Sequence, residues 1–243
     1  ASNIGNSTSI SGLANYTNNT WYSGYVVTRG SCTDSGSGSC DVTYSSSGAT
    51  SGSGSTTANV NNQGTTTITY RVSDAAGNSK SSSYTVKLDR TAPSLSVLLK
   101  KKTSSSNVGN STNISGLANY TNNTWYSGYV ATRGSCSDSI SGSCDVTYRA
   151  SGSSSGSGST TANVNNEGTT TVTYTVEDAA GNSASRSYTV KLDRTAPTLS
   201  AVLKKKNGAG NIGSSTNISG LANYSNNTWY KGYVVTRGSC TDS

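Results

Sequence analysis

Short stretches in which apolar and polar residues alternate one for one recur along the chain, and no stretch carries an apolar stripe at helical spacing. The clearest is Thr171-Val172-Thr173-Tyr174-Thr175-Val176, which sets two aliphatics and a tyrosine on one face and three threonines on the other. Leu95, Val97 and Leu99 alternate in the same way and predict a first strand closed by Lys100, Lys101 and Lys102. Tyr129 to Gly134 reads as a second strand, Val146 and Tyr148 mark a third, and Thr161 to Val164 a fourth. Val172 to Val176 makes the fifth and Tyr188, Val190 and Leu192 the last, with a hairpin turn at Asp178-Ala-Ala-Gly-Asn182 between them. Residues 151–160, nearly all Ser and Gly, read as a flexible surface loop. Six or seven short strands in about 100 residues predict an all-β fold of two packed sheets.

The same pattern returns at a fixed offset. Ser11-Gly-Leu-Ala-Asn-Tyr16 recurs at 115–120 and again at 219–224, and residues 1–104 differ from 105–208 at only 21 positions without a gap. The two prolines of the 243-residue chain, Pro93 and Pro197, close identical Lys-Leu-Asp-Arg-Thr-Ala-Pro stretches. Proline fixes φ and biases the residue before it towards extended backbone, which suits a junction between strands. Boundaries placed there give a repeat lacking its first strand at 1–93, a complete repeat at 94–197 and the start of a third at 198–243. The absent first strand of 1–93 permits assembly by donated strands, whereas the extra half-unit at the other end reads as a cut through a longer array.

Composition narrows the function. Ser 49, Thr 35, Asn 25 and Gly 27 make up more than half the chain, while Phe, Met and His are absent. Without His, ordinary Ser-His-Asp and Cys-His catalysis is excluded, and near-identity between copies does not suit an enzyme, so no catalytic residue and no cofactor is expected. A net charge of +7 is too small for disorder by self-repulsion, and 15 Tyr with 3 Trp remain for a core. No apolar run approaches the ~20 residues of a membrane helix.

The stretch Gly168-Thr-Thr-Thr-Val-Thr-Tyr-Thr-Val-Glu-Asp-Ala-Ala-Gly-Asn182, with Tyr188-Thr-Val-Lys-Leu-Asp-Arg-Thr-Ala-Pro197, resembles the end of bacterial immunoglobulin-like repeats. The motif stands also at 64–78 and 84–93, and the loop Cys136-Ser-Asp-Ser-Ile-Ser-Gly-Ser-Cys144 is similar to the Asp-Ser-Gly-Ser-Gly loop after the second strand of such repeats. The resemblance implies tandem immunoglobulin-like β-sandwiches of 104 residues, stacked end to end in an extracellular or cell-surface fibre, stalk or adhesin. Its partners would be neighbouring repeats of the same chain and other copies in a fibre.

Cys32 and Cys40 are eight residues apart, as are Cys136 and Cys144, and Cys240 opens a third pair. The spacing fits no zinc motif and predicts local disulfides, hence an oxidising compartment. Asp34 and Asp41, with Asp138 and Asp145, bracket these loops without the alternating acidic spacing of a calcium loop, so no metal is expected. The lysine triplets suit either a polyanion or the protection of an exposed strand end, but the basic-aromatic interleaving of a nucleic-acid face is missing. Trp21 and Tyr22, Trp125 and Tyr126, and Trp229 and Tyr230, backed by Asn and Thr, are candidates for stacking on surface glycans or for the core. The alternative to a stalk is therefore a multivalent carbohydrate- or polyanion-binding module.

Overall fold

The computed structural model describes residues 3–214 and 216–242 and is all-β, with no helix among the described residues. Ala1–Leu192 forms one compact unit and Asp193–Ser243 another. Within the first unit, the second copy has a three-stranded sheet in the order Thr161–Val164, Tyr129–Ser137, Ser94–Lys102. Its five-stranded sheet runs Gly156–Gly158, Cys144–Gly152, Gly168–Asp178, Ser183–Leu192, Trp125–Tyr126. All pairings are antiparallel except the last, where Trp125 and Tyr126 lie parallel to Lys191 and Leu192.

The alternation in the sequence becomes two faces. Val130, Ala162 and Val164 of the smaller sheet meet Val172, Tyr174, Val190 and Leu192 of the larger, and Leu95, Val97 and Leu99 pack at the rim. Tyr174 is fully buried at the centre, its hydroxyl 2.7 Å from Thr132 Oγ1 and its ring 5.9 Å from that of Tyr148. The ring fits because position 134 is glycine: a Cβ there would lie 2.6 Å from Tyr174 Cδ1 and 2.9 Å from Val146 Cγ1. Overpacking at that point displaces the largest side chain of the core.

The Ser/Gly stretch departs from expectation. Gly156–Gly158 is a short strand paired with Tyr148 to Ala150, and Gly152 takes φ 106° to start the bend. A Cβ on Gly152 would meet Thr169 O at 2.3 Å, so both conformation and space demand glycine.

The lysine triplet departs further. Lys100 and Lys102 sit inside the first strand and are buried. They lie on the face turned away from Leu95, Val97 and Leu99, where residues 103–124 fold back over them. Lys100 Nζ donates to Ser115 O (2.9 Å), Leu117 O (3.1 Å) and Asn119 Oδ1 (2.7 Å). Lys102 Nζ donates to Ser106 O, Asn163 Oδ1 and Asn165 Oδ1, each at 3.0 Å. Each ammonium thus spends its three donors on three neutral oxygens, and burial pushes the Lys102 amine below its ordinary value. These clamps seat a stretch with no periodicity of its own and bury Ile114 and Tyr120 beneath it. Lys102→Met is expected to lower stability by about 1–3 kcal/mol by stranding buried acceptors, measured by urea denaturation. Lys101→Met, which loses a stack on Tyr126, should stay below about 1 kcal/mol.

The first copy repeats the five-stranded sheet as Gly52–Gly54, Cys40–Gly48, Gly64–Asp74, Ser79–Leu88, Trp21–Tyr22, but its second sheet is only Val26–Arg29 paired with Thr57–Val60. Among the described residues no strand lies along the other side of Val26–Arg29, where Ser94–Lys102 lies in the second copy. In the second unit, Thr198–Lys206 pairs antiparallel with Tyr233–Thr241, and Leu199 is 77% exposed.

Candidate functional site

The most elaborate polar constellation lies where the first copy passes into the second. Ser79–Leu88 ends, and five residues later Ser94–Lys102 begins. Asp89 in this crossing is fully buried and bonded on every side. Its amide donates to Tyr22 O (3.0 Å), and its carboxylate accepts from Thr91 N (2.9 Å) and Ser141 N (3.1 Å). Its carbonyl accepts from Asn182 Nδ2 (2.9 Å). Arg90 turns back into the first copy, donating to Gly24 O (3.0 Å) and Asn61 O (2.9 Å) with its guanidinium 4.4 Å from the Tyr25 ring centre.

The partners from the second copy stand on two loops. Cys136–Cys144 is a disulfide, as is Cys32–Cys40, and Cys240 is a free, exposed thiol. The disulfide loop wraps Asp138, whose Oδ2 accepts from the amides of Ile140 (3.0 Å), Ser141 (2.6 Å) and Gly142 (3.0 Å) and from the Ser141 hydroxyl (2.8 Å). Desolvation alone would raise this carboxyl; the Ser141 hydroxyl and the loop amides outweigh it and hold it below the usual range. The other loop is the hairpin turn, where Asp178 accepts from Ala180 N (2.8 Å), Asn182 N (2.9 Å) and Asn182 Nδ2 (2.9 Å). In the first copy the same bonds, led by the Asn78 side chain, hold the Asp74 carboxyl low, and the Ser37 hydroxyl does so for Asp34. A carboxylate held low in the folded state stabilises it above the unfolded pKa, and that contribution fades as pH falls through the folded value.

Asp89, Asp138 and Asp178 each offer an oxygen within 4.8 Å of the others, the group that could share a cation among the described residues. Asp138 is thereby grouped with Asp89 and Asp178 rather than with Asp145, its neighbour across the cysteine loop. The three carboxylates also accept from backbone amides: Asp89 from Thr91 and Ser141, Asp138 from Ile140, Ser141 and Gly142, and Asp178 from Ala180 and Asn182.

The aromatic pairs divide. Successive residues of a strand point to opposite faces, so Trp125 is 61% exposed with Lys191 Nζ 5.9 Å from its ring centre, while Tyr126 turns inward towards Lys102 O. Trp21 is half-buried beside Lys87 and Trp229 is exposed, while Lys205 covers the Tyr230 ring at 4.8 Å and Tyr22 is 46% exposed. The pairs therefore differ: the indole is the exposed member at Trp125 and Trp229, and the phenol is at Tyr22. Sequence reasoning missed Asp89, Arg90, Lys100 and Lys102 as structural centres. The signal for the first two was the return of Asp-Arg before each proline, read only as a boundary. No protein-family model matches this sequence, and comparison with curated proteins and with solved structures gives no match either.

Proposed function

We propose that this chain is a non-catalytic structural segment of an extracellular or cell-surface bacterial fibre, stalk or adhesin, built from immunoglobulin-like sandwiches joined end to end. The observation that carries this reading is the junction at Asp89 and Arg90. A crossing of five residues, bonded to both copies, leaves little freedom for a hinge. The repetition of one unit at 104-residue spacing suits a spacer, and two disulfides fit an oxidising compartment. No helix is long and apolar enough to cross a membrane among the described residues.

Electron microscopy of the longest natural chain carrying these repeats tests this. Strands of ten residues span roughly 33 Å, so thin rods beaded at about 4 nm are expected. Compact globules would sink the reading.

A second reading, a multivalent glycan-binding module, draws on the outward indole of Trp125 beside Lys191. Trp125→Ala should then abolish retention on a glycan array and leave the melting temperature within about 2 °C, because the side chain packs little. Unchanged retention, or no retention by the parent chain, removes that reading.

A further inference from the structure

The second copy is threaded so that the chain enters at one end and leaves at the other. Ser94, which opens its first strand, pairs with Ser137; Ser183, which opens its last, pairs with Glu177. Asn182, next to Ser183, donates to the carbonyl of Asp89 in the crossing that leads to Ser94, so both strands start at one end. They also finish together, because Tyr126 pairs with Leu192 and sets its hydroxyl 3.5 Å from Lys102 O.

Antiparallel bonds lie perpendicular to their strands. A pull on Ser94 and Leu192 therefore drags Ser94–Lys102 backwards along Tyr129–Ser137 and Ser183–Leu192 forwards along Gly168–Asp178. Neither ladder is peeled from its end, and nine registered pairs in the first and ten in the second share the load. The first strand has further restraints. Lys101 N donates to Ala118 O (2.8 Å), and Leu99 O accepts from Tyr120 N (2.9 Å). Its two buried ammonium groups reach other parts of the repeat, Lys100 to Asn119 and Lys102 to Asn163 and Asn165. A slide by one residue would put Lys100 where Leu99 packs on the core. A slide by two restores the faces, but it carries Lys102 to the place of Lys100 and leaves Ser104 where an ammonium was.

We propose that the repeat bears tension along the chain, with Ser94–Lys102 as its load-bearing strand and the Lys100 and Lys102 ammonium groups as the teeth that stop it sliding. The direction of the load rests on the end-to-end reading above. The disulfide stands in the load path: Cys136 belongs to Tyr129–Ser137 and Cys144 to Cys144–Gly152, so the bridge ties the smaller sheet to the larger.

Single-molecule force spectroscopy of the full 243-residue chain tests this, with Cys240→Ser so that handles attach only at introduced thiols. Handles at Ala92→Cys and Ala196→Cys load the second copy along the chain. Handles at Thr169→Cys and Ala196→Cys instead lift Ser183–Leu192 off its neighbour from the Leu192 end. The expected rupture force is at least about twice as high along the chain, where the bonds break together rather than one pair at a time. Reduction should lengthen the step by about 20 Å, the eight-residue spacing of Cys136 and Cys144 less the 6.2 Å their bridge already spans. Lys102→Met should bring the first force down towards the second and leave the second nearly unchanged, whereas Lys101→Met should alter neither. Equal forces in the two directions overturn the proposal, and so does a Lys102→Met chain that holds as firmly as the parent. A Lys102→Met loss equal in both directions overturns it too, since it would mark general weakening rather than a lost tooth. The two readings fail separately: beaded rods whose repeat ruptures equally in both directions would leave the stalk standing and remove the load-bearing strand.

Discussion

Tyr174→Ala is expected to lower the stability of the second repeat by about 3–5 kcal/mol, the usual range for deleting a buried aromatic side chain. Domain stabilities of ~5–15 kcal/mol make that a large fraction of the whole. The ring is fully buried, touches both sheets through Thr132 and Tyr148, and fills the space that Gly134 leaves open. Tyr174→Phe keeps the ring and loses one hydroxyl contact, for about 1 kcal/mol. The equivalent Tyr70→Ala should cost less, because the core around Tyr70 is already open beside Tyr84. Urea denaturation followed by circular dichroism separates these, and equal losses at the two positions would contradict the account.

The same tyrosine has an alkaline signature. Burial pushes its phenol up to about 12, against the lowering effect of its bond with Thr132. The folded state thus prefers the neutral phenol. Its contribution is fully present below the unfolded value of about 10 and is lost as pH rises from there towards 12. Burial also raises the Tyr70 phenol, so absorbance at the tyrosinate band should show a late phase from both residues, and Tyr174→Phe should remove the latest part of it.

Loss of the Cys136–Cys144 bridge is expected to cost about 2.5 kcal/mol through the freedom regained by the unfolded loop. A second effect is local. Asp138 and Ser141 ride on this loop, and Ser141 is what meets Asp89 of the preceding copy. Cys136→Ser with Cys144→Ser should therefore also expose the Leu88 to Ser94 crossing to proteolysis. Cys32→Ser with Cys40→Ser is the control within the same chain, lowering stability without touching that crossing. Cleavage at the crossing in both variants alike would show that the loop does not hold the junction.

Strands whose alternation serves one buried face were readable from residues alone, as Thr161–Val164 and the Val172-Tyr174-Val176 face show. Lys100 and Lys102 were not, because their positions fall on the outward parity of the first strand. They are buried only by the 103–124 stretch, whose Ser and Asn residues carry no period and follow the ammonium groups rather than a pattern. Trp125 was ambiguous for a related reason: a strand of two residues has too few positions to reveal which face is inside. Asp89 was hidden because its partners, Ser141 and Asn182, lie 52 and 93 residues away.

The short strands have one more consequence. The five-stranded sheet of the second copy ends on Gly156–Gly158 at one margin and on Trp125–Tyr126 at the other, three residues and two residues long. Each covers only part of the strand beside it: Trp125–Tyr126 pairs with Lys191 and Leu192 alone, so Ser183 to Tyr188 of that strand has no strand neighbour on that side among the described residues. Nearly identical domains held close together on one chain are prone to exchange pieces and misassemble. The open run from Ser183 to Tyr188, short of apolar side chains and carrying Arg186, is the edge along which such an exchange would have to begin.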